Sequence, residues 1–201
     1  MRRLLALLTL ALALPACAGY SANDPLLKKD AEKLTVAEMR RMAAVMTTQY
    51  GKVVIELHPE WAPVATRNFV KLVQVGYYDG LTICEVRPTV WIRGGGPEAD
   101  ACGGSPGYNV ALETPSAPVM RGMVGLYHYD LLPEEGNSQF FIMLNDATSM
   151  NGGYTIFGKV VEGMPAVDRI GKIQSTPRDA PRPFKPLANI VIEDIHLEVK
   201  K

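Results

Sequence analysis

Leu4 to Leu14 form an apolar run with Thr9 inside it, directly behind Arg2 and Arg3, and beyond Ala18 the pattern turns polar. Eleven helical residues rise about 16 Å, roughly half of a hydrocarbon core of about 30 Å. The segment is therefore too short to span a bilayer and has the form of an export signal, assigned to residues 1–18. Residues 19–46 read as a linker. Asn23-Asp24-Pro25 signals a turn, and Lys28, Lys29, Asp30, Glu32 and Lys33 follow as a polar stretch. Thr35-Val36-Ala37-Glu38 is a capping-box pattern that predicts a short helix with Val36, Met39, Ala43 and Met46 on one face.

From Thr47 onward the period changes. Val53, Ile55 and Leu57 alternate with Val54, Glu56 and His58, which predicts a half-buried strand. Pro63 opens a helix carried by Ala65, Phe69, Leu72 and Val73 and ended by Gly76. Short strands are predicted at 81–86, 89–93, 123–127, 139–144, 154–161 and 190–199, with a second helix at Met164–Ile170. Gly- and Pro-rich connections separate them. Many short strands with few helices make an all-β domain over 47–201, either a closed barrel or a sandwich.

Composition narrows the partners. Lys+Arg and Asp+Glu balance at 21 each, with no basic stripe, so a nucleic-acid partner has no electrostatic support. Loss of residues 1–18 leaves 19 positive and 21 negative side chains, a net charge of −2. Leu14-Pro15-Ala16-Cys17 has the form of a bacterial lipobox, whereas Ala16-Cys17-Ala18 fits ordinary A-x-A cleavage. Lipid attachment at Cys17 is the preferred reading, and both readings place the protein outside the cytoplasm, in the periplasm and there anchored to the membrane if Cys17 is acylated. Cys84 and Cys102 then sit in an oxidising compartment. A bridge between them and two unpaired buried thiols both stay open, with the unpaired state preferred because sequence does not set their spacing.

Signatures for bond-making chemistry are missing. The chain has no G-x-S-x-G, H-E-x-x-H, P-loop or C-x-x-C pattern, and His58, His128 and His196 lie in separate contexts. Gly94-Gly95-Gly96 lacks the Lys-Ser/Thr that a phosphate loop requires. No cofactor or metal is expected.

Thr47-Thr48-Gln49-Tyr50-Gly51-Lys52-Val53-Val54-Ile55-Glu56-Leu57, then Pro59, Ala62-Pro63, Asn68-Phe69 and Gly76-Tyr77-Tyr78-Asp79-Gly80, resembles the opening of cyclophilins. Asn137-Ser138-Gln139-Phe140-Phe141-Ile142, Phe157-Gly158-Lys159-Val160 and Glu162-Gly163-Met164 continue the likeness, which spans about 47–199. The resemblance implies an eight-stranded closed antiparallel barrel capped by two helices, with a proline-binding groove on its outer face. It implies a peptidyl-prolyl cis-trans isomerase assisting exported proteins, expected as a monomer that takes proline-containing peptides or unfolded chains. A non-catalytic proline-peptide module or chaperone of the cell envelope is the alternative, and a structural docking platform a third.

The groove residues depart from the family pattern. Its strand F-H-R-V-I-P-G-F-M-I-Q-G-G reads here Ile83-Cys84-Glu85-Val86-Arg87-Pro88-Thr89-Val90-Trp91-Ile92-Arg93-Gly94-Gly95. Glu85 thus stands where the family has its catalytic arginine, and Arg93 where it has a glutamine. Arg93 and Glu85 are the candidate catalytic pair, with the guanidinium moved and Glu85 orienting it, or else a surface ion pair on a degraded site. Val90, Trp91, Gln139, Phe141, Tyr127, Met150 and Tyr154 are the candidate substrate-binding residues. Ser149 replaces a tryptophan found in many members, so cyclosporin-type ligands are expected to bind poorly.

Overall fold

The computed structural model describes residues 19–98, 102–114, 117–128 and 135–201, apart from the side chain of Glu135. The export segment and Cys17 lie outside the described residues. Ten strands form one antiparallel sheet: β1 (Tyr20–Ser21), β2 (Met42–Thr48), β3 (Gly51–Leu57), β4 (Ile83–Arg87), β5 (Trp91–Gly94), β6 (Val110–Ala111), β7 (Met123–His128), β8 (Glu135–Met143), β9 (Thr155–Glu162) and β10 (Ile192–Lys200). Their spatial order is β1-β10-β2-β3-β9-β7-β8-β5-β4, with β6 added to β8.

This corrects the expectation of eight strands in a closed ladder. β1 pairs with the Val199–Lys200 end of β10, and β4 ends the other edge of the ladder. Among the described residues the two sheet ends meet over a short stretch around the starts of β4 and β10. Ile83 N donates to Ile190 O (2.9 Å), Gly80 N to Ile192 O (2.8 Å) and Ile192 N to Leu81 O (2.8 Å), beside a bridge between Thr82 and Val191.

Helix α1 (Val36–Met39) is short, α2 (Pro63–Gln74) buries Phe69, Val70 and Leu72 on the sheet, and α3 (Met164–Gly171) buries Val167 and Ile170. The capping box forms as expected: Glu38 N donates to Thr35 Oγ1 (3.2 Å) and Thr35 N to Glu38 Oε2 (2.8 Å). The Lys29 ammonium, with the Thr35 contacts, holds the Glu38 carboxyl down at about 2.

The expected helical face through Ala43 and Met46 is overturned, because Met42–Thr48 is strand β2. Met42, Ala44 and Met46 enter the main core, while Ala43 and Val45 pack with Tyr20 and Val54 on the other face. Apolar residues on both faces erase the period-2 signal that separates a strand from a helix. Nor are residues 19–34 a solvated arm. Ala31 and Leu34 are buried, and Arg67 Nη1 donates to their carbonyls at 2.6 and 2.8 Å.

Cys84 and Cys102 form a disulfide with Cα atoms 5.2 Å apart, against the preferred sequence reading. Cys84 occupies a register shift between Ile83 and Glu85, and this irregularity lies opposite β5, where no periodicity could reveal it. The two cysteines lie 18 positions apart in sequence, and closing a loop of that length restricts the unfolded chain by about 3 kcal/mol. Cys84→Ser/Cys102→Ser is therefore expected to lose about that much stability in denaturant unfolding. A wild-type midpoint indifferent to reductant would contradict the bridge.

Candidate functional site

Strand alternation divides β8 between two environments. Phe140 and Ile142 point into the main core, whereas Gln139, Phe141 and Met143 lie on the opposite face. There Phe141 joins Trp91, Val119, Met123, Met143 and Ile156 in a second apolar cluster, with Val90, Tyr127, Met150 and Tyr154 packed at its margin. Cross-strand register brings the polar pair alongside: Arg93 on β5 is opposite Phe141 on β8 and opposite Glu85 on β4. The structure thus gathers all nine residues singled out for catalysis and binding on one outer surface.

The pair is closely bound. Arg93 Nε donates to Glu85 Oε2 at 2.9 Å, and Arg93 Nη2 donates to the same oxygen. The second carboxylate oxygen, Glu85 Oε1, accepts from Trp91 Nε1 at 2.8 Å. Arg93 Nη1 donates to Gln139 Oε1 at 3.0 Å, and the guanidinium carbon sits 3.8 Å from the centroid of the Tyr127 ring. Glu85 and Arg93 are each only 8% exposed. A guanidinium carries five N–H donors, so among the described residues these bonds occupy three and leave one on each Nη. What the arrangement supplies is a cation fixed by a carboxylate and an aromatic face, with donors to spare beside an apolar cluster.

The pocket differs from the sequence-based expectation in its cover. Phe141 is fully buried and Trp91 only 4% exposed. The indole tilts over the Phe141 ring with centroids 5.4 Å apart, and Tyr154 meets Phe141 edge-on at 5.2 Å. Gly125 on β7 lies under the Phe141 ring, where any Cβ would collide with it. Large aromatic side chains, Trp91 and Tyr154, therefore fill the space over Phe141. A proline ring would pack on Trp91 and Tyr154, or displace them, before touching Phe141.

Three residues escaped the sequence reading. His128 stacks against Tyr154 with centroids 4.8 Å apart, and its Nδ1 is buried without a partner among the described residues. Trp61 packs at the cluster margin and stacks on His58 at 3.7 Å. The Arg87 guanidinium lies 5.2 Å from Trp91 and 5.5 Å from Phe184. A shared cluster of aromatics could have been sought in the sequence, but its partners are dispersed over more than 100 residues.

Truncating one member of a buried ion pair strands the other charge, at a cost of about 3–5 kcal/mol. Glu85→Ala and Arg93→Ala are each expected to destabilise by about that amount, with the double variant well short of the sum in a double-mutant cycle. Additive losses in denaturant unfolding would show that the two side chains do not interact.

A family model described as cyclophilin type peptidyl-prolyl cis-trans isomerase/CLD matches residues 43–197. Peptidyl-prolyl cis-trans isomerase ppi1 of Schizosaccharomyces pombe is 37% identical over 144 residues, covering 71% of this chain and 92% of its own. Peptidyl-prolyl cis-trans isomerase B of Bacillus subtilis is 40% identical over 114 residues, 57% of this chain and 79% of that one. Among solved structures, a Cryptosporidium parvum cyclophilin type peptidyl-prolyl cis-trans isomerase, crystallised in the presence of the dipeptide Ala-Pro, superposes with a TM-score of 0.69. It is 28% identical, and the match covers 79% of this chain and 98% of that chain.

Proposed function

The chain belongs to the cyclophilin-type peptidyl-prolyl cis-trans isomerase family, and from that premise we propose that it turns over X-Pro bonds slowly, with Arg93 as donor and Glu85 as the residue that positions it. The barrier is the resonance of the peptide bond, about 18–20 kcal/mol, which leaves exchange in tens to hundreds of seconds without a catalyst. A catalyst needs to favour the twisted amide over both planar forms, and a fixed donor beside an apolar wall does this without a nucleophile or metal. Arg93 carries the reading: it is held on three sides, retains N–H donors and stands in register with Phe141. The rate is reduced for two reasons. Glu85 neutralises much of the guanidinium's field, and Trp91 covers the pocket floor. These same two observations favour, as a second reading, a groove that binds proline peptides without turning them over.

Isomerisation of a series of Xaa-Pro tetrapeptides by the mature chain tests this directly. Wild type is expected above the buffer blank, and Arg93→Gln lower by tenfold or more, since removing one preorganised donor typically costs on the order of 10²–10³. A wild-type rate equal to the blank for every peptide removes the isomerase claim. A gain in Glu85→Arg with no loss in Arg93→Gln would assign the low rate to the missing family arginine instead.

The clients are exported proteins and the working form is a monomer tied to the membrane through lipidated Cys17, supported by the Arg2–Leu14 pattern and the lipobox-like Leu14-Pro15-Ala16-Cys17. Because β1 begins at Tyr20, the three steps from Cys17 reach about 10 Å at most, so the lipid would hold one sheet edge close to the bilayer. Mass measurement of the mature N-terminus should find an acylated Cys17. An unmodified chain beginning beyond Cys17 contradicts the anchor.

A further inference from the structure

The residues 174–187 form a loop that closes on itself and docks on the far side of β4 from Phe141. Thr176 N donates to Lys185 O (2.8 Å), Lys185 N to Thr176 Oγ1 (2.9 Å), Phe184 N to Thr176 O (3.1 Å) and Leu187 N to Gln174 O (2.8 Å). Val86 N donates to Phe184 O at 2.9 Å, which fastens the loop to β4, and Arg87 lies between the rings of Trp91 and Phe184. With this many backbone bonds the loop is a fixed wall. Its tip carries Arg178, Asp179, Arg182 and Lys185, an excess of two positive charges.

Between that wall and the Glu85–Arg93 pair lies a cavity of about 200 Å³. Arg93, Arg182, Lys185 and the Cys84–Cys102 disulfide line it, and among the described residues Glu85 is the acidic member of the lining. Both oxygens of Glu85 are already taken, one by Arg93 and the other by Trp91. Among the described residues the lining thus holds three cationic side chains and one carboxylate, and it adjoins the proposed donor. Arg182 and Lys185 make other contacts as well, so an incoming anion competes with existing partners instead of meeting bare charges.

We propose that this cavity is a subsite for an acidic side chain of the substrate, so that the groove prefers proline segments bearing Glu or Asp nearby. The inference rests on the reading of the Phe141–Arg93 face as the prolyl groove. Geometry sets the spacing. Passing from Phe141 across β5 and β4 to the loop takes three steps of about 4.7–4.9 Å each, roughly 15 Å in all. An extended peptide covers that in about four residues. The long side chains at both ends shorten the span, placing the acid two to four residues from the proline.

The test uses eight-residue peptides with one central Ala-Pro, in which a single Glu is placed two, three or four residues before or after the proline, each paired with its Gln counterpart. Both the isomerisation rate and the binding affinity are measured with the mature wild-type chain and with Arg182→Ala/Lys185→Ala. At least one Glu position is expected to exceed its Gln counterpart by about threefold to tenfold, the range for partly exposed charge pairs acting together. That advantage should shrink in 0.5 M salt and vanish in the double variant, whose values for the Gln peptides stay within about twofold of wild type. Gln peptides handled as well as Glu at every position, or an advantage that survives in the double variant, overturns the subsite while leaving the groove intact. Absence of both binding and turnover for all peptides overturns the groove reading and the subsite with it.

Discussion

The outer face of this sheet is organised by one buried ion pair. Glu85 and Arg93 face each other across adjacent strands with little exposure, and neither would be tolerated there alone. That constraint links the two departures from the family pattern. A glutamate in place of the catalytic arginine would leave an unpaired anion against the apolar cluster, unless a cation arose at the neighbouring register position. Arg93 is that cation. Once the pair is present it sets much else: the carboxylate holds the Trp91 indole, and the guanidinium sits over the Tyr127 ring and reaches Gln139.

The pair and the aromatic cover act in opposite directions. Side chains on paired strands, locked by mutual hydrogen bonds, keep a donor in one orientation, which is the requirement for electrostatic stabilisation of a twisted amide. Yet the same bonds spend part of that donor's capacity, and the indole that Glu85 holds shields Phe141. The proposed slow isomerase follows from these opposing effects. The proposed subsite beyond β4 extends the idea, since affinity gained from a flanking acid would offset weak packing of the proline ring.

Much of the fold was legible because one period dominated locally. Val53, Ile55 and Leu57 alternate cleanly on β3, and Pro63 through Val73 repeat at helical spacing in α2. β2 was misread as helix because Met42 to Val45 are apolar on both faces, so neither period stands out. The closed ladder was overestimated because strand patterns do not show whether two sheet edges pair along their length, and here β4 and β10 meet over a short stretch at their starts. At the site, residue identities and the Glu85–Arg93 pairing came through the aligned motifs, but the other contacts did not. The Trp91–Glu85 bond, the burial of Phe141 and the stacking of His128 on Tyr154 depend on rotamers and cross-strand register. The disulfide at the bulge and the approach of Arg182 to Arg93 join segments that no local pattern connects.

The most direct measurement is a crystal structure of the mature chain with a bound Ala-Pro-containing peptide. The account predicts the proline ring against the Trp91–Phe141–Tyr154 aromatics and an Arg93 Nη within about 3 Å of the prolyl amide or its flanking carbonyl. A peptide seated elsewhere, or one whose amide meets no group of Arg93, contradicts it.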